Sequence, residues 1–338
     1  MSGGRAGGAD PRRGWTGEEL AASGEHRQHL SAERVRRLAR ELPTDLGAAD
    51  LETVGAVRAA LVEPLGDVAD ELRDRLGPEG LGIAVVTGDG LDALGDARSA
   101  TLLWGLTVLL GRPMVQNAED ELLVSVRDAR PSDVHTARGY LSNGGMLMHT
   151  DPSDVAALLC IEASADGGTS LFSSAPAVRA VLRREAPHLW DEYHRIWTWD
   201  LRGMQEPSTD PYVTTPIFCD HEGRLACRYG ALMLREGEGS TGPLRPEAAE
   251  ALDRFEEVAK RPTLTLRHRL RRGESVWFDN YRTLHGREGF VDRDETRQVR
   301  HLLRTWLWLE PAPDLAPELL PFSRAMDWRD RRGLGHSR

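Results

Sequence analysis

The stretch from residue 121 to residue 310 constrains the fold most, because it is cut into short runs of β-branched, aromatic and aliphatic residues stopped by Gly, Asp or Asn. "ELLVSVRD", "VAALLCIEA", "TSLFSS", "RIWTWDL", "VTTPIFCD", "RLACRYG", "TLTLRHRL", "ESVWFDN" and "VRHLLRTWLWLE" follow this rule. Runs of that length and composition suit strands. Two helical segments interrupt them, "APAVRAVLRREAPHLWDEY" and "RPEAAEALDRFEEVAK", while "DHEG" (220–223) and "RRGE" (271–274) read as hairpin turns. Ahead of the strands the pattern is helical. Ser31 is placed to cap "LSAERVRRLARELP", whose Val35, Leu38 and Leu42 share a face. "ADLETVGAVRAALVEPLGDVADELRDRL" reads as a helical region interrupted near Pro64, "GLGIAVVTG" as a strand, and "ARSATLLWGLTVLLGRP" as an apolar helix stopping at Gly111 and Pro113.

Helices first and many antiparallel strands after them predict a mostly-β chain with flanking helices (α+β), a β-sandwich or jelly roll. The expected organisation is a disordered N-terminal tail over 1–30 and one domain over 31–338. Within that domain the helical part covers 31–112 and the jelly-roll core runs from about 120 to 310.

Composition removes several classes of function. The chain of 338 residues is 40% hydrophobic and 28% charged, enough for a sizeable core. Its net charge of -10 argues against nucleic-acid binding, which needs a surplus of Lys and Arg to neutralise phosphates. No apolar run approaches the ~18 residues of a membrane span. The N-terminal "MSGGRAGGADPRRGW" has no hydrophobic segment behind its arginines and is not a secretion signal. Cys160, Cys219 and Cys227 lack metal or redox spacing, so reduced thiols in a cytoplasmic protein are expected. No glycine-rich phosphate loop of either common type is present, and no interface signature points to an oligomeric state.

Chemistry concentrates at two places. The apolar stretch "MLMHTD" ends in His149 and Asp151, which on a strand would present an imidazole and a carboxylate on one face, half of a divalent-metal site. Alone, the pair is as compatible with a surface histidine beside a turn aspartate. His285 in "DNYRTLHGREGF" could complete the two-histidine, one-carboxylate facial set of non-heme Fe(II) oxygenases, or cap a local turn. In "RQVRHLLRTWLWLE", Arg300, Leu302, Arg304, Trp306 and Trp308 alternate on one face of a strand apolar on both sides. Two arginines so placed need anions, either internal carboxylates or a bound dicarboxylate held bidentately by Arg300. Arg297 competes with Arg300 but has the opposite parity.

"HTD" at 149–151, "GGTSLFSS" at 167–174 and "WFDNYRTLHGREGF…RQVRHLLRTWL" at 277–307 together resemble the taurine-dioxygenase-like (TauD/TfdA) family. Clavaminate-synthase-like enzymes and gamma-butyrobetaine hydroxylases are relatives of that family. The resemblance runs in order from about Gly139 to Glu310. It implies a double-stranded β-helix and Fe(II)- and 2-oxoglutarate-dependent oxygenation with O2 as cosubstrate. It also implies iron held by His149, Asp151 and His285, and 2-oxoglutarate anchored by Ser170 and Arg300. Arg304 then stands near a small-molecule substrate. Thr169 is one place from Ser170 and would face away. Halogenating relatives replace the acidic ligand, so Asp151 favours hydroxylation.

Other residues carry weaker expectations. Asn143 and Gln116 are candidate substrate contacts, with a turn and a polar loop as the alternatives. "REGEGSTGP" after "CRYG" is a candidate lid, near which Arg228 and Tyr229 are candidates to meet substrate, with a plain strand edge as the alternative. The expected activity is hydroxylation of a small anionic or amino-acid-like molecule, of the kind found in secondary metabolism. Desaturation, cyclisation or epoxidation is the nearest alternative. A non-catalytic jelly-roll binder or a zinc hydrolase would leave the intact triad, or Arg300 and Ser170, without a role.

Overall fold

The computed structural model describes residues 14–327 apart from 46–48, 118, 129–142, 207, 241 and 293–298. Order begins earlier than the tail expected over 1–30. A capping box, with Thr16 Oγ1 accepting from Glu19 N and the Glu19 carboxylate from Thr16 N, starts α1 (Gly17–Ser23), and β1 (Arg27–Leu30) follows. Trp15 and Leu20 are buried, and Gly17 N donates to Leu264 O with no room beside it for a side chain. These long-range contacts order the segment despite its polar composition.

Ser31 caps α2 (Ala32–Glu41) as expected, burying Val35 and Leu38. The predicted break at Pro64 is absent, and α3 (Val54–Leu76) runs through it. Its buried stripe, Val57, Leu61, Leu65, Val68, Leu72 and Leu76, holds the helix together against a proline penalty of ~3 kcal/mol. After β2 (Ile83–Gly88), α4 (Gly95–Leu110) packs on α3 at Gly105, where an added Cβ would lie 2.6 Å from Leu61 Cδ1.

The strands follow in the order β3 (Gly111–Met114), β4 (Val124–Val126), β5 (Met146–His149), β6 (Val155–Glu162), β7 (Asp166–Gly167) and β8 (Ser170–Ser174). α5 (Ala175–Glu185) and α6 (Trp190–His194) lead to β9 (Ile196–Asp200), β10 (Tyr212–Pro216), β11 (Phe218–His221) and β12 (Arg224–Cys227). α7 (Ala231–Gly239) occupies most of the candidate lid, so that segment is largely a helix and not a glycine-rich loop. α8 (Pro246–Ala259), β13 (Thr265–His268), β14 (Ser275–Asp279), β15 (Thr283–Arg287), β16 (Phe290–Val291), β17 (His301–Leu309) and α9 (Leu320–Met326) complete the chain.

The larger sheet has the order β1-β2-β14-β6-β17-β3, with β4 also on β17, and the smaller has β13-β8-β15-β5. Only the β1–β2 pair among these is parallel. The "DHEG" turn joins β11 and β12 as a hairpin, with Glu222 and Gly223 both at positive φ. "RRGE" is not a hairpin: it carries the chain from β13 in the smaller sheet to β14 in the larger one.

One face of the larger sheet packs on α3 and α4 through Val86, Ala157, Trp277 and Leu307. The other meets the smaller sheet, where the Phe172 and Phe278 rings stand 5.5 Å apart. β17 is apolar on both sides for that reason. Leu302 and Trp306 face the inter-sheet core and Leu307 faces the helices. The fold is mixed α+β. Cys160, Cys219 and Cys227 are free and buried.

Candidate active site

His149 is the last residue of β5, and the chain leaves the sheet immediately after it. Thr150 N donates to Tyr229 O, Asp151 N donates to Asn280 Oδ1 at 3.1 Å, and the Arg228 guanidinium donates to Asp151 O. Asp151 therefore reaches the site through Asn280 and Arg228 and not through strand alternation. His285, on β15, lies opposite His149 in register.

His149 Nε2 is 3.7 Å from Asp151 Oδ1, His285 Nε2 is 3.4 Å from Asp151 Oδ2, and the two imidazole rings are 4.1 Å apart. One donor atom from each of the three side chains lies within 4.8 Å of the others. His149 Nδ1 sits 2.8 Å from Leu147 O, which fixes Nδ1–H as donor and leaves the Nε2 lone pair facing Asp151. Trp306 Nε1 donates to Asp151 Oδ2 at 2.8 Å. Burial, helped by the facing His285, pushes His149 down to about 4. Burial works to raise Asp151, but His285, Arg304 and His149 outweigh it and hold the carboxyl well below the usual range. A neutral imidazole and an ionised carboxylate are the states a divalent cation needs. The other such grouping among the described residues, His221, Glu222 and Asp314, lies at a hairpin tip with both carboxylates exposed.

The triad opens on a cleft of about 490 Å³ between the two sheets, lined also by Phe278, Ser170, Arg287, Arg300 and Arg304. Ser170 faces inward from β8, while the Thr169 hydroxyl meets the Glu288 carboxylate on the outside. Arg300 is buried, its backbone N donates to Asp292 Oδ1, and its Nη1 has no hydrogen-bond partner among the described residues. Burial and the neighbouring Arg287 bring its guanidinium down to about 10. Arg297 lies outside the described residues.

Gln116 supports Arg304 and also lines a smaller pocket with Met204 and Trp306. Buried beside Arg304, its Oε1 accepts from Arg304 Nε at 2.8 Å and its Nε2 donates to Leu122 O and Arg304 O. Asn143 is exposed and is not among the residues lining the cleft, and its backbone carbonyl accepts from Phe290 N. Tyr229 is buried against Phe255, with its hydroxyl on Leu252 O, and does not face substrate. Arg287 was legible but missed, two places beyond His285 in "LHGR" and hence on the same face. Trp306, Asn280 and Arg228 support Asp151 from parts of the chain no local pattern connects to it.

Two histidines and a carboxylate beside an arginine-lined cleft between facing sheets define a non-heme iron oxygenase. The chain belongs to the family described as "Taurine catabolism dioxygenase TauD, TfdA family", which matches residues 39–306. It is an oxidoreductase, an Fe(II)- and 2-oxoglutarate-dependent dioxygenase. FR-33289 synthase of Streptomyces rubellomurinus is 33% identical over 272 residues, 79% of this chain and 77% of that protein. The structure of asparagine oxygenase in complex with Fe(II), 2S,3S-3-hydroxyasparagine and succinate aligns with a TM-score of 0.65 at 21% identity, covering 83% of this chain and 93% of that one. The non-heme iron oxygenase OrfP in complex with Fe and alpha-ketoglutaric acid aligns with a TM-score of 0.64 at 16% identity, with 83% and 93% covered. These two likenesses are of fold. Among the described residues no helix is long and apolar enough to cross a membrane.

Proposed function

We propose that this dioxygenase hydroxylates a C–H bond of a small anionic or amino-acid-like molecule, with His149, Asp151 and His285 holding iron and Arg300 and Ser170 anchoring 2-oxoglutarate. The observation that carries this reading is the convergence of the three donor groups at one cleft with three buried guanidiniums and the inward Ser170. The facing sheets are read as the two halves of a double-stranded β-helix in a single domain. A ferrous ion bound there supplies dioxygen activation coupled to conversion of 2-oxoglutarate to succinate and CO2.

The chain's own contribution is orientation and exclusion of water. Trp306 and Asn280 aim Asp151, and Phe278 packs against His285 with ring centroids 4.5 Å apart. Arg304, held by Gln116 and lying over the Trp306 ring, stands close enough to act on both Asp151 and His149. It is placed to receive an acidic substrate group beside the metal. Asp151 keeps the acidic side chain that halogenating relatives replace, which favours hydroxylation. Asparagine oxygenase, whose structure holds a 3-hydroxy amino acid, supports an amino-acid-like substrate by analogy of fold.

Anaerobic addition of Fe(II) and 2-oxoglutarate should give a visible charge-transfer band that Asp151→Ala and His285→Ala abolish. Succinate release should be lost in Arg300→Ala and largely survive in Arg297→Ala. A band that persists without Asp151 and His285, or the reverse arginine pattern, would overturn the assignment.

A further inference from the structure

The cleft holds more positive charge than the roles above require. Arg287 lines it from β15, is only 5% exposed, and has its Cα opposite Ser170 in register. Its guanidinium lies 4.8 Å from the Phe290 ring centroid, and that of Arg300 lies 5.0 Å from the same centroid. These two cleft-lining guanidiniums thus share one aromatic neighbour, and the charge of Arg287 acts on Arg300. Burial brings Arg287 down to about 10, and its charge adds to the fall of Arg300. Two buried guanidiniums near one another favour an anion able to meet both. Asp128 and Asp292 act on Arg287 and Arg300 respectively, and Arg287 Nη2 donates to Gly144 O. Arg304 is instead grouped with Gln116, Trp306 and the triad.

We propose that Arg287 is a second guanidinium on the far carboxylate of the keto-acid cosubstrate, forming with Arg300 and Ser170 a clamp that selects a dicarboxylate and leaves Arg304 for substrate. This rests on reading the cleft as the 2-oxoglutarate site. Its consequence is selectivity. A clamp of two cations discriminates 2-oxoglutarate from 2-oxovalerate, which has the same chain length and a methyl group in place of the far carboxylate.

The test is anaerobic calorimetric titration of the Mn(II)-loaded protein with each keto acid, which reads binding without turnover. Arg287→Met should weaken 2-oxoglutarate by roughly 10- to 100-fold while 2-oxovalerate changes little. Arg287→Lys, which keeps the charge but not the planar fork, should show a smaller loss of the same selective kind. It carries the comparison if Arg287→Met does not fold. Equal loss for both keto acids would overturn the proposal and make Arg287 a support for the Gly144 turn. No loss for either, with a raised substrate KM, would overturn it in favour of a substrate contact. If wild type binds no 2-oxoglutarate while retaining Mn(II), the underlying site reading fails instead. If wild type binds it and only Arg300→Met loses it, the site stands and the clamp alone is wrong.

Discussion

At the scale of single residues, the metal site depends on groups that do not touch the metal. The Trp306 indole N–H occupies one oxygen of Asp151, and Leu147 O fixes the tautomer of His149. Trp306→Phe keeps an aromatic face for Arg304 but removes the indole N–H donor together with part of the ring. Its expected effect is roughly 10- to 100-fold weaker metal binding, measured by competition with a chromophoric chelator. Unchanged affinity would show that the indole merely packs. Residue chemistry and the family resemblance pointed to His149, Asp151, His285, Ser170 and Arg300, and the fold brings these five to one cleft. Spacing could not foresee that the Gln116 amide meets Arg304, because that neighbour comes from a distant part of the chain.

At the scale of elements, polar clefts conceal strands. β15 carries His285 and Arg287 toward the cleft and is buried throughout, yet "TLHGR" lacks an apolar alternation. A face that binds a charged ligand abandons the hydrophobic pattern from which strands are read. β1 was missed for a different reason. It is a short edge strand, held parallel to β2 and preceded by a buried histidine, His26, that lies 6.5 Å ring to ring from His268. Burial, then Arg27 and His268, push His26 down to about 4. The folded protein therefore binds fewer protons there than the unfolded chain between pH 6.5 and 4. The stabilisation is present in full above that window and is lost as pH falls through it. Urea unfolding of wild type and His26→Phe across this range should give a shallower acid-side loss in the variant. Equal slopes would locate the acid sensitivity elsewhere.

At the scale of the whole molecule, the larger sheet separates two cores, one toward the helices and one toward the smaller sheet, and the cleft opens within the second. Arg287 and Arg300 line it close enough together for the charge of one to oppose that of the other, an opposition that a bound anion would offset. Ligand binding should accordingly raise thermal stability. At 2-oxoglutarate a hundredfold above Kd the gain is about 2.7 kcal/mol, or several degrees in Tm. In a thermal-shift experiment Arg300→Ala should keep the shift caused by Mn(II) and lose the further shift caused by 2-oxoglutarate. Loss of both would mean that the substitution damages the fold.

The sequence by itself determined the strand-rich second half, the capped and apolar helices before it, and which side chains are candidates for the metal and cosubstrate. Each of these rests on local periodicity or on residue chemistry that few side chains can supply. Tertiary structure decided that α3 continues through Pro64, that the segment before Ser31 is ordered, and that Arg287 joins Arg300 over one phenylalanine ring. It also decided how Asp151, beyond the end of its strand, is turned back toward His149. Those outcomes depend on contacts between residues far apart in the chain, whose energies exist only once the sheets and helices have packed.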